Sequence, residues 1–188
     1  MAPEPRDQDF RIDAIVTLLK RDHGHRLVSG SNVFVQLEAS SARKIIFAPE
    51  DLEWLHRLEL PYFIGSVGTA DASISLYTVQ NAIGLVGAKE SSAELCLDPE
   101  PGCLNIPVDS EEGFSGCVTN DAGSSEIAKG WLGLPVLAWK LSDAHDVGFH
   151  ARAVDILEGW VEVSRDNRLL ETMGGTLSVS WATGVRPE

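Results

Sequence analysis

Two adjacent runs near the start of the chain constrain its fold more than any other feature. In residues 11–19, Ile12, Ala14, Val16 and Leu18 alternate with Asp13, Ile15 and Thr17. In residues 31–40, Val33, Val35 and Leu37 alternate with Phe34, Gln36 and Glu38. A period of two places alternate side chains on opposite faces of an extended chain, so both runs predict strands, the first buried on most of its surface. Between them, Lys20-Arg-Asp-His-Gly-His-Arg26 has the polar residues and glycine of a chain reversal, and the three segments together predict an antiparallel hairpin.

Beyond the hairpin, Lys44 to Phe47 predicts a short third strand. Pro49-Glu-Asp-Leu-Glu-Trp-Leu-His-Arg-Leu58 sets Pro and acids at a helix start, with Leu52, Leu55 and Leu58 at helical spacing. Residues 61–67 and 73–79 then predict a buried strand and its neighbour around the turn Gly68-Thr-Ala-Asp71, giving the order β-β-β-α-β-β through residue 80. Residues 85–126 carry one lysine against nine acids, with frequent Pro and Gly, and are expected to be an acidic irregular insertion. Apolar character returns over 127–141, predicting a strand after Pro135. A helix follows from about Asp146 with Phe149, Val154, Leu157 and Val161 near one face, stopped by Gly174-Gly175, and Thr176 to Trp181 forms a last strand. The expected class is α/β, with α+β as the variant: a mixed central sheet that starts with an antiparallel hairpin. The 188 residues form a single domain with a 9–80 core, the 85–126 insertion and a 127–188 completion.

Charge and composition narrow the function classes. No run approaches the ~18 apolar residues of a spanning helix, and Met1 to Arg6 lacks a secretory pattern, so a soluble cytoplasmic protein without membrane partners is expected. Cys96, Cys103 and Cys117 match neither a zinc knuckle nor a disulfide framework and read as reduced thiols. The net charge of −13 is uneven: residues 1–80 hold 8 basic and 11 acidic side chains, a net −3, and residues 81–188 hold 7 and 17, a net −10. The second half therefore repels free polyanions. Gly65-Ser-Val-Gly68 and Gly84-Leu-Val-Gly87 lack the rest of a phosphate loop or dinucleotide fingerprint, and no serine sits in a nucleophile elbow. His23, His25, His145 and His150 read as surface residues, and the five tryptophans as core or partner contacts.

Taken in order, Asp-x-x-Ile-Asp13, the hairpin, Val35-Gln-Leu-x-Ala-Ser40, the Pro49-Glu-Asp-Leu-x-Trp-Leu55 helix and Leu60-Pro-x-Phe-Ile64 resemble the PD-(D/E)XK nuclease-like superfamily. The resemblance is to an uncharacterised prokaryotic family with Gln-x-Lys in place of Glu-x-Lys, and it covers about residues 9–80. It implies that Asp13 and Gln36 would hold a divalent cation, Mg²⁺ or Mn²⁺, while a lysine two positions after Gln36 would serve the attacking water. Here Glu38 stands where that lysine belongs, and the helix that usually precedes the first acid has no counterpart in the twelve residues before Asp13. Two carboxylates ~4 Å apart repel by ~4 kcal/mol at an effective dielectric of ~20 unless a metal or proton intervenes. Glu38 is thus either a third metal ligand beside Asp13 and Gln36 or the mark of lost catalysis. Lys44 is the main candidate for a displaced catalytic lysine, with Lys20 the other.

The resemblance implies a degenerate, catalytically inactive nuclease-like domain that binds within a prokaryotic DNA-processing or defence system. Two alternatives stand beside it: an active metal-dependent nuclease with a displaced lysine, and an acidic protein-interaction or immunity-type protein without an active site. Lys20, Arg21, Arg26, Arg43 and Lys44 form the expected nucleic-acid contact, and the acidic 85–126 segment the expected protein contact. The bland reading of Asp13 is a strand-edge charge met by Arg11 or Arg43, and that of Gln36 and Glu38 is an exposed polar sheet face.

Overall fold

A computed structural model of the chain describes residues 12–21, 27–79, 92–97 and 128–173. Its elements are β1 (Ala14–Arg21), β2 (Leu27–Ala39), β3 (Lys44–Phe47), α1 (Pro49–Arg57), β4 (Tyr62–Gly68), β5 (Ser73–Thr78), β6 (Ala93–Cys96), β7 (Ala128–Trp131), β8 (Leu137–Lys140), a 3₁₀ turn (Leu141–His145) and α2 (Val147–Thr172). The β-β-β-α-β-β order through residue 80 and the mixed α/β class are as expected from the sequence. His23, His25, Arg26, the Gly174-Gly175 stop and the strand expected over 176–181 lie outside the described residues, as does most of the 85–126 segment.

A five-stranded mixed sheet runs β1-β2-β4-β5-β8, and a separate three-stranded sheet runs β3-β6-β7. The hairpin pairs β1 with β2 antiparallel, Ala14 opposite Val35. The connection through β3 and α1 brings β4 back parallel to β2, with Phe34 beside Tyr62 and Gln36 beside Ile64. Parallel neighbours require such a crossover. α1 starts at Pro49, and Asp51 reaches back to accept from the Ala48 N–H at 2.9 Å, which satisfies a donor that the first turn leaves unpaired. At α2, the Asp146 carboxylate accepts from the Gly148 N–H at 2.8 Å in the same role.

The large sheet is covered on both faces. On one, Leu18, Val33, Val35, Phe63, Leu76 and Leu137 pack against Phe149, Leu157, Trp160 and Val163 of α2. On the other, Tyr62, Ile64 and Val79 pack with Leu52 and Leu55 of α1 and with Ile45, Phe47, Ala93 and Leu95 of the small sheet. Gly65 lies between the two leucines on the α2 face: a Cβ there would stand 2.8 Å from Leu37 Cδ2 and 3.3 Å from Leu76 Cδ2. Gly65 thus lets Leu37 and Leu76 close over β4, and a larger residue there would require the exposed Leu37 to shift. Among the described residues no helix is long and apolar enough to cross a membrane.

Four expectations are corrected. Residues 93–96, inside the segment expected to be irregular, form a strand buried on both faces, Glu94 included. Four residues without alternation carry no strand period, and an interior glutamate reads as surface. Among the described strands β1 is the outermost of its sheet, and it leaves Ile15 63%, Leu19 49% and Val16 37% exposed, where burial on most of its surface was expected. Ile12 joins the α1 side instead of sharing a face with Leu18, because the regular strand begins only at Ala14. Of the face predicted for α2, Phe149 and Leu157 are buried and Val161 packs against their cluster, whereas Val154 is only half-buried and Trp160, Val163 and Asn167 complete the buried stripe.

The turn between β4 and β5 is held by Ser73 Oγ, which donates to Asp71 Oδ1 at 2.7 Å. That hydroxyl keeps the exposed Asp71 carboxyl below its usual range. A carboxyl lowered on folding adds stability above its unfolded value, and the gain disappears as pH falls through the folded one. Asp71→Asn should therefore flatten the loss of stability below about pH 4, read as urea midpoints against pH. Trp160, 1% exposed at the middle of the α2 contact, sets the larger expectation. Trp160→Ala should cost ~3–5 kcal/mol in urea unfolding through the cavity it leaves.

Candidate functional site

The residues the sequence singles out meet where β1 begins and β2 ends. β2 points Val33 and Val35 at α2 and Phe34 and Gln36 at the α1 side, so strand alternation puts Gln36 and Glu38 on one face. Gln36 is 7% exposed. Its Nε2 donates to Glu38 Oε1 at 2.6 Å, and its Oε1 accepts from the Tyr62 hydroxyl on the neighbouring parallel strand. The Glu38 carboxylate settles the amide orientation, since an amide oxygen turned towards it would oppose acceptor to acceptor. Trp54 of α1 meets the Tyr62 ring edge to face, centroids 5.7 Å apart and planes at 88°, and thereby holds the hydroxyl in place.

Asp13 lies one residue before β1. Its N–H donates to the Val35 carbonyl at 3.0 Å, and its Oδ2 accepts from the Leu37 N–H at 2.6 Å. Val35 and Leu37 turn their backbones towards β1, while Phe34 donates to Pro61 on the β4 side. The Asp13 side chain thus continues the ladder where β1 has not yet begun and satisfies a donor that would otherwise lose its strand partner. Of the two partners considered from sequence, Arg11 lies outside the described residues.

Lys44 lies on β3 in the other sheet, where its Nζ sits 3.3 Å from Glu94 Oε2. The ammonium is half exposed, whereas the Glu94 side chain is 7% exposed, so the lysine compensates an interior carboxylate. Glu94 is the charged residue that sequence reasoning missed, because it falls in the segment set aside as irregular. Arg43 is exposed, and its carbonyl accepts from the Leu97 N–H at 2.8 Å. His145 and His150 are exposed as expected, and His150 Nε2 lies 2.7 Å from the Ala144 carbonyl oxygen.

These donors fit a hard cation poorly. Such an ion takes several oxygen ligands, but Gln36 Oε1 is engaged by Tyr62, and turning the amide round would break its bonds to both Tyr62 and Glu38. One Asp13 oxygen is engaged by the backbone. Among the described residues no group of three or more His, Cys, Asp and Glu side chains is placed to hold a metal ion. An open cavity of about 300 Å³ lies at the far side of the sheet, over Ser73, Ser75, Trp139, Lys140 and Asp143. Comparison with models of known protein families, with curated proteins and with solved structures gives no match.

The Tyr62, Gln36 and Glu38 chain acts as a unit. Tyr62→Phe and Gln36→Leu should each destabilise by ~1–3 kcal/mol, the cost of stranding a buried polar partner. The double variant should cost clearly less than the sum of the two. Strict additivity in urea unfolding would show that the three groups do not share one network.

Proposed function

We propose that this chain is a PD-(D/E)XK nuclease-like domain whose catalytic centre has become structural and whose present role is binding, in a prokaryotic DNA-processing or defence setting. One observation carries the non-catalytic part: the Gln36 amide is spent on Glu38 and Tyr62 in the position where the resemblance implies a metal ligand. The loss of the lysine at position 38 and the use of Asp13 as a backbone acceptor agree with it.

The displaced-lysine alternative would require Lys44 to leave Glu94. Removing a cation from beside a buried carboxylate is costly, which supports a structural role for Lys44. The nucleic-acid contact is proposed for the Lys20, Arg21, Arg26, Arg43 and Lys44 region. The described part of the acidic segment, residues 92–97, offers little to a protein partner, since residues 93–97 are buried and Glu94 is turned to Lys44.

The test is cleavage of single- and double-stranded DNA and RNA with Mg²⁺ or Mn²⁺, comparing the unaltered chain with Asp13→Ala, Asp13→Asn and Glu38→Lys. No cleavage by the unaltered chain is expected, together with retained binding to a labelled oligonucleotide. Metal-dependent cleavage abolished by both Asp13 variants at unchanged circular dichroism would overturn the reading. Asp13→Asn keeps an oxygen for the Leu37 N–H, so it separates loss of a ligand from loss of the strand cap. Lys44→Ala should lower stability by ~1–3 kcal/mol and, as the loss of one cation of the proposed contact, weaken oligonucleotide binding.

A further inference from the structure

We draw no further inference here: the strongest candidate, the open cavity over β5 and β8 lined by Ser73, Ser75, Trp139, Lys140 and Asp143, carries none, because its two charged side chains are of opposite sign and nothing in the structure shows what fills or covers it.

Discussion

β2 lies between a strand on each side and a hydrophobic layer on each face, and this double burial governs the rest of the molecule. Val33 and Val35 must meet α2, and Phe34 and Gln36 must meet Tyr62 and the α1 side. A slip of one residue would exchange the faces, carrying a glutamine and a glutamate into the layer that holds Trp160 and Val163. The register of β2 therefore determines that of β1, β4 and both packing layers together.

Given that register, the polar pair on β2 has to be satisfied internally. Gln36 can remain in the interior because each end of its amide has a partner: Glu38 two residues on and Tyr62 across the parallel ladder. A buried amide with one end unmet would cost what its hydrogen bonds now contribute. Asp13 performs the matching task at the strand edge, where a carboxylate takes the place of a missing carbonyl for Leu37. Residue types that would suit a metal site are here occupied with holding the end of a hairpin, and this makes the chemistry and the fold of this corner hard to separate.

The small sheet shows the same economy. Ile45 and Phe47 of β3 and Leu95 of β6 close the α1-side layer, and the other face of that sheet holds Glu94 against Lys44. The most strongly buried charge among the described residues thus sits in the stretch whose composition looks least structured. Its partner is 50 residues away in sequence.

The hairpin, the third strand, the Pro49 helix and the β4–β5 pair were legible because each is a local pattern: period two, a proline with acids at a helix start, a glycine-bearing turn. The grouping of Asp13, Gln36 and Glu38 was legible too, as two of them share one strand face and the third begins the hairpin. What the sequence could not state was how those groups spend their hydrogen bonds. Tyr62 as the partner of Gln36, the Leu37 N–H as the partner of Asp13 and Glu94 as the partner of Lys44 are all contacts between distant segments. Likewise β3 shows in the sequence as a strand, but that it leaves the large sheet to pair with β6 depends on which chain segment is nearby. Local periodicity follows from the neighbouring residues alone, whereas sheet membership, the exposure of β1 and the satisfaction of a buried polar group depend on what the folded chain brings alongside.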